Sequence, residues 1–127
     1  MRIKILCWNV RGLNDIEKRK LIKGVVRNQK PDLVCLSKTK VKEMSLQMVK
    51  NVGVGRFLNW ALVDARGAAG DLLLFWDNRV LENLEVESGG GGVGYSIFVR
   101  FRNCADGLSW IFYGVYGPVI GSEKEDF

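Results

Sequence analysis

Histidine is missing from the 127-residue sequence, and cysteine is scarce. The three cysteines, Cys7, Cys35 and Cys104, are odd in number and show no CxxC spacing. Without histidine or closely paired cysteines, the sequence offers no structural zinc site of the usual kinds. Cys7 and Cys35 lie inside apolar runs, which predicts small, buried side chains and a reducing compartment.

Long hydrophobic runs are missing as well. No apolar stretch approaches the roughly 20 residues that a membrane-spanning helix needs. Apolar and charged residues interleave from Arg2 onward, unlike the layout of a signal peptide. We therefore expect no membrane association and an intracellular location, with a nuclear one left open. Hydrophobic residues still make up 47% of the chain, which is enough for the core of one domain.

Charge is distributed unevenly along the chain. Residues 1–50 hold 13 Lys and Arg against 4 Asp and Glu, whereas residues 51–127 hold 6 against 10. A basic half is typical of a protein that binds a polyanion such as a nucleic acid. From charge alone, the alternative of a solvated helix surface stays open and is favoured.

Two apolar stretches of strand length, residues 2–9 and 32–36, organise the first part of the chain. Between them lies an amphipathic helix, for which Asn14 is the expected N-cap and Glu17 completes a capping box. Two strands joined in this way predict a parallel βαβ unit. The first strand ends apolar on both faces, so we expect it in the middle of a sheet.

The remaining sequence alternates short strands with turns. We predict a helix over 42–51 and strands over 57–64, 72–76, 80–87, 95–102 and 108–116, the strand at 80–87 having one wet face. The glycine-rich stretch 88–94 lacks both a GK[ST] sequence and a following helix, which favours a flexible hairpin connection over a phosphate-binding loop. The pattern predicts an α+β fold with a mixed sheet and flanking helices.

Three motifs in this order resemble a known family: WNVRGL at 8–13, DLVCLSKTK at 32–40 and GVYGP at 114–118. They are similar to the successive N-terminal motifs of the endonuclease/exonuclease/phosphatase family, and most similar to the endonuclease domains of plant LINE-type retroelements. The resemblance implies a partial four-layer α-β-β-α sandwich of DNase-like type. Residues 1–120 would form the N-terminal portion of that domain, and residues 121–127 a frayed tail.

The resemblance also implies that this chain supplies little of the second sheet. The inner face of the sandwich would then be open to water, with Ile97, Trp110 and Phe112 as exposed side chains. Exposed apolar patches of this kind drive association. We therefore expect self-association through an exposed sheet face.

Members of the family cleave phosphodiester or phosphomonoester bonds with a divalent metal, usually Mg²⁺. By this resemblance, Asn9 and Tyr116 match catalytic positions and are vestigial here. Lys38 stands where the family has a metal-binding Glu, and an ammonium group cannot ligate a cation, so no metal site is intact and no Mg²⁺ is expected to bind. Lys38 and Arg11 are instead candidate ligands of a substrate phosphate.

A general base is the second missing part. The family uses a His–Asp pair to activate the attacking water, and this sequence has no histidine. Two hypotheses follow: a truncated, inactive phosphodiesterase of retroelement origin, or a non-catalytic module that binds DNA or another nucleic acid through its basic half. Taken singly, Lys38 also fits a solvated surface lysine, Asn9 a polar strand end and Tyr116 an amphipathic aromatic.

Overall fold

The computed structural model describes residues 2–40, 46–65, 70–91 and 94–116. Within these ranges the elements are β1 (Ile5–Asn9), α1 (Ile16–Gln29), β2 (Leu33–Ser37), α2 (Leu46–Val52), β3 (Leu58–Ala65), β4 (Gly70–Asp77), β5 (Leu81–Gly91), β6 (Gly94–Asn103) and β7 (Ser109–Tyr116). The predicted tail 121–127 and the first part of the predicted helix 42–51 lie outside the described residues.

The first sheet has four strands in the order β1-β2-β4-β3. β1 and β2 run parallel, while β4 pairs antiparallel with both β2 and β3, so the βαβ unit and the mixed sheet are confirmed. The expectation that the first strand lies in the middle of its sheet is wrong. Among the described strands β1 is an edge, and Ile5 and Cys7 are exposed on it.

The helix α1 follows the predicted amphipathic pattern but begins one residue later than predicted. Asp15, not Asn14, is its N-cap, because the Asp15 carboxylate accepts a hydrogen bond from the Glu17 amide at 2.9 Å. The helix ends where Lys30 takes a left-handed conformation and donates its amide to Val26.

Both helices cover the outer face of the first sheet. The core cluster that they form with it contains Val10, Leu13, Ile22, Val26, Val34, Leu36, Val49, Val52, Leu73 and Phe75. This is the first α layer and the first β layer of the predicted sandwich. None of the described helices is both long and apolar enough to cross a membrane.

The second sheet, β5-β6-β7, is antiparallel and packs against the inner face of the first. The shared core contains Leu33, Cys35, Val63, Leu72, Leu74, Trp76, Leu81, Ile97, Val99 and Phe101. The expectation of an open inner face at Ile97, Trp110 and Phe112 is therefore wrong. Ile97 is fully buried, and the two aromatic residues pack against the same core.

The glycine-rich stretch also differs from the expected flexible connection. β5 extends through Gly91 and pairs with β6 from Gly94, so most of the predicted connection is strand and lengthens the second sheet. The expectation of a single wet face over 80–87 is wrong, because Leu84 and Val86 are each 40% exposed and Glu85 and Glu87 are exposed as well. A bulge between Asn83 and Glu85 also shifts the register there. The described residues form an α-β-β arrangement, consistent with a partial DNase-like sandwich.

Three large exposed apolar side chains of the second sheet lie on its outer face. Phe98, Ile111 and Tyr113 sit side by side there, and the rings of Phe98 and Tyr113 are 4.5 Å apart. No described helix covers this face. An exposed sheet face exists, but on the opposite side from the predicted one.

Candidate functional site

The candidate site lies where β1 and β2 end. Asn9 and Ser37 are paired as the last residues of the two parallel strands, so the segments that follow them leave the sheet side by side. This brings Asn9 and Lys38 to one edge of the sheet, the place where open α/β sheets carry their chemistry. This placement agrees with the sequence-based prediction that Asn9 and Lys38 lie close together.

Backbone hydrogen bonds hold the two segments together beyond the strands. Val10 donates to Ser37 at 3.1 Å, Gly12 to Lys38 at 2.7 Å, and Leu13 to the carbonyl of the residue after Lys38 at 2.9 Å. Because these bonds continue the ladder of β1 and β2, the two loops form one surface of fixed geometry.

Left-handed backbone conformations are concentrated on this surface. Arg11, Lys38 and Lys40 have φ angles of 56°, 56° and 57°. Each such non-glycine residue costs about 1–2 kcal/mol relative to a right-handed conformation. Strain of this kind tends to persist at functional sites, where the surrounding contacts enforce it.

Two cations from α1 support the first loop from below, a role that sequence reasoning missed. The Lys18 ammonium donates to the Val10 carbonyl at 2.7 Å, and the Arg19 guanidinium donates to the Asn14 carbonyl at 3.4 Å. Both side chains are half-buried, unlike the solvated ones expected of a helix surface. Their position in the first turns of α1, next to the loop, is the signal that would have identified them.

Thr39 is a further residue that the sequence did not single out. It is fully buried between Lys38 and Lys40, and its hydroxyl oxygen makes no hydrogen bond to the described residues. With Thr39 anchored inside, the lysines on either side lie at the surface, Lys40 exposed and Lys38 half-buried. No carboxylate in the described part of the chain forms an ion pair with either lysine.

Tyr116 ends β7 in the second sheet, where its backbone pairs with Tyr95. Its side chain is outside the described part of the structure, as are the residues that follow it in the third motif. The predicted approach of the Tyr116 hydroxyl to Asn9 therefore stays a prediction.

A separate cavity of about 440 Å³ opens at the other end of the first sheet, near the end of α1 and the start of β2. Val26, Val34 and Phe75 line its apolar part. At its rim the Arg79 guanidinium donates to the Asp77 carboxylate at 2.8 Å and lowers the pKa of that carboxyl. This cavity shares no lining residue with the loops after β1 and β2.

No family model and no curated protein matches the sequence. Among solved structures, the human Nocturnin catalytic domain, with a bound sulfate anion, aligns with a TM-score of 0.63 at 13% identity over 89% of this chain and 48% of that chain. The complex of TDP2 from D. rerio with single strand DNA product gives 0.61 at 15% identity, over 89% and 45%. AP endonuclease LMAP from Leishmania major gives 0.54 at 18% identity, over 96% and 41%.

The fold is DNase-like. All three neighbours belong to the endonuclease/exonuclease/phosphatase superfamily, which agrees with the resemblance seen in the sequence motifs. This chain spans half or less of each neighbour's length, so it corresponds to one part of the DNase-like fold. At 13–18% identity, the likeness shows the fold alone.

The residues at this edge of the DNase-like fold do not fit the divalent cation that the resemblance implies. A hard cation takes oxygen ligands, mainly carboxylates and waters. Asn9 offers an amide oxygen, but position 38 holds an ammonium group, and the described residues contain no cluster of three or more His, Cys, Asp or Glu side chains. The edge is instead cationic, through Arg11, Lys38 and Lys40.

Proposed function

We propose that this chain is the N-terminal portion of a retroelement-derived phosphodiesterase domain, of the plant LINE type, that binds nucleic acid without cleaving it. The domain portion would comprise residues 1–120, and the protein would act inside the cell. The proposal unites the two hypotheses drawn from the sequence: a lost activity and a retained affinity for phosphate.

One feature supports the proposal: Lys38, which the motif resemblance matches to the family's metal-binding Glu, lies on a surface whose two loops are joined by backbone hydrogen bonds. Lys38 is held by the hydrogen bond from Gly12 to its carbonyl at 2.7 Å, beside Arg11 in the neighbouring loop. The change from Glu to Lys replaces a charge of −1 by +1 at this position. A site that would attract a metal cation therefore attracts an anion directly.

The loss of catalysis follows from the chemistry of these groups. A lysine ammonium attracts a phosphate but supplies neither a Lewis acid nor an activated water. The sequence also has no histidine to serve as the base of the family's His–Asp pair. The groups that would stabilise the transition state are missing, while the attraction between the lysine and a bound phosphate stays. We therefore expect binding without turnover.

A nucleic acid is the polyanion that the comparisons favour. One neighbour, TDP2, is described with single strand DNA product, and another is an AP endonuclease. The exposed cations of the first forty residues add a sequence-independent attraction to a phosphate backbone. Lys18 and Arg19 contribute indirectly, since they hold the loop that carries Arg11.

Two assays on the purified chain test the two parts of the proposal. A supercoiled plasmid incubated with Mg²⁺ or Mn²⁺ should remain uncut. Nicking above background that disappears in Asn9→Ala or Tyr116→Phe variants would refute the proposed inactivity. In the second assay, affinity for single-stranded DNA measured in EDTA should fall as salt rises. Affinity that is absent or independent of salt would leave only the inactive-fragment hypothesis.

A further inference from the structure

Cys7 and Cys35 lie side by side in the parallel pair formed by β1 and β2. They are direct register partners, so their side chains project from the same face of the sheet. Neighbouring strands are about 4.8 Å apart, and a disulfide accommodates Cα–Cα distances of roughly 4.4–6.8 Å. The backbone spacing therefore suits a disulfide between them, although both thiols are free in this structure.

The two thiols differ in accessibility. Cys7 is exposed on β1, which is an edge among the described strands. Cys35 is 1% exposed and belongs to the core between the sheets. The sequence-based expectation that both are buried is thus wrong for Cys7. An oxidant in solution reaches Cys7 first.

The two thiols also interact. Hydrogen bonding with the Cys35 thiol lowers the pKa of Cys7 to about 7. The same hydrogen bond, together with burial, raises the pKa of Cys35. An exposed thiolate is the form that attacks a peroxide, and a neighbouring thiol can resolve the sulfenic acid product as it gives up its proton.

We infer that Cys7 and Cys35 form an oxidisable dithiol, in which Cys7 reacts with a peroxide and Cys35 closes an intramolecular disulfide. The Cys7 thiolate attacks one peroxide oxygen, the O–O bond breaks, and the leaving hydroxide takes a proton to become water. The Cys35 sulfur then attacks the Cys7 sulfenic acid, the S–O bond breaks, and a second water leaves with the proton of Cys35. Two thiols and one hydrogen peroxide thus give one disulfide and two waters.

The position of the pair gives the bond a structural consequence. Cys7 lies two residues before Asn9, and Cys35 lies three residues before Lys38. A disulfide here closes a loop through α1 and ties together the two strands that carry the candidate site. We therefore expect the oxidised chain to unfold at a higher temperature than the reduced chain, and a reductant to reverse the shift.

Peptide mapping of the full chain after treatment with a small excess of hydrogen peroxide tests the inference. Free thiols are alkylated and the protein is digested with trypsin, which yields residues 5–11 and 28–38 as separate peptides when reduced. The expected product is these two peptides joined, with a mass lower by two hydrogens than their sum and separable by reductant. Cys104, exposed but without a thiol neighbour among the described residues, is the internal control and should not be cross-linked within the chain.

Two variants separate the roles of the thiols. Cys35→Ser should leave Cys7 as a sulfenic acid that dimedone labels, whereas Cys7→Ser should leave the buried Cys35 unmodified. The inference is overturned if oxidised wild-type protein lacks the joined peptides, if Cys7 cross-links to Cys104 instead, or if Cys35 reacts as fast in Cys7→Ser as Cys7 does in Cys35→Ser. The mapping of wild-type protein is decisive even where a variant fails to fold.

Discussion

Packing of the second sheet against the first makes a strong prediction about two phenylalanines of one strand. Phe98 and Phe101 both lie in β6, on opposite faces. Phe101 is fully buried between the sheets, with the rings of Trp76 and Trp110 each 5.1 Å away, whereas Phe98 is 41% exposed on the outer face beside Tyr113. Replacing each with alanine removes the same atoms from two different environments.

The expected losses of unfolding free energy differ clearly. Phe101→Ala removes a buried ring and leaves a cavity, which costs about 3–5 kcal/mol. Phe98→Ala loses one ring contact and a half-exposed surface, worth roughly 0.5–1.5 kcal/mol. The total free energy of unfolding of a domain of this size is only about 5–15 kcal/mol, so Phe101→Ala should remove a large fraction of it.

Urea denaturation followed by tryptophan fluorescence measures the difference. With a denaturant slope of ~2 kcal/mol per M, Phe101→Ala should lower the urea midpoint by about 2 M and Phe98→Ala by much less than 1 M. Equal, small shifts for both variants would mean that the inner face is open to water, as the sequence alone led us to expect. The reasoning about the core between the sheets would then fail.

Three further predictions concern a cap, an ion pair and the exposed outer face. Asp15→Ala should cost about 1 kcal/mol in urea denaturation and Asn14→Ala little, because only Asp15 caps the helix. The pKa of Asp77 is lowered in the folded state, so its ionised carboxylate stabilises the fold above the unfolded-state pKa, and this contribution is lost as pH falls through the folded-state pKa. Asp77→Asn should therefore make the free energy of unfolding depend less on pH in the acid range. Serine at Phe98 and Tyr113 should reduce concentration-dependent association in sedimentation velocity, and unchanged association would exclude the outer face.

Local patterns predicted the first part of the fold well. An apolar strand, an amphipathic helix and a second apolar strand are sufficient for a parallel βαβ unit, and that unit alone brings Asn9 and Lys38 together. In the same way, the alternation along residues 95–102 predicted the strand that β6 forms, although the face that carries Ile97 was expected to be open to water and is buried. Each of these inferences depends on residues close in sequence.

Features that depend on distant contacts were predicted less well. Burial of Cys7 was expected from its apolar neighbours, but it depends on whether another strand lies beyond β1. The glycine-rich stretch carries no side-chain pattern, so its role as paired strand followed only from the sheet. The supporting contacts of Lys18 and Arg19 required the loop geometry, because helix periodicity by itself places both on a wet surface.

The measurement that tests the central claim most directly compares two lysines on either side of β2. Lys38 and Lys30 both have left-handed backbones, with φ angles of 56° and 51°, but they lie at opposite ends of that strand. The glutamate variants Lys38→Glu and Lys30→Glu therefore change the same charge in the same conformation, once at the candidate site and once away from it. Any effect of net charge alone should be equal in the two.

Affinity for single-stranded DNA in EDTA, measured over a range of salt concentrations, is the quantity to compare. The attraction between one cation and a phosphate at a partly exposed contact is on the order of 1–4 kcal/mol before desolvation and screening. Lys38→Glu should therefore weaken binding about five- to tenfold and reduce the salt slope by roughly 0.7 per lost phosphate contact, while Lys30→Glu has less effect on both. Lys38→Glu should also bind Mg²⁺ weakly without cleaving DNA. Equal DNA affinity for the two variants would contradict the account and reduce Lys38 to a surface lysine.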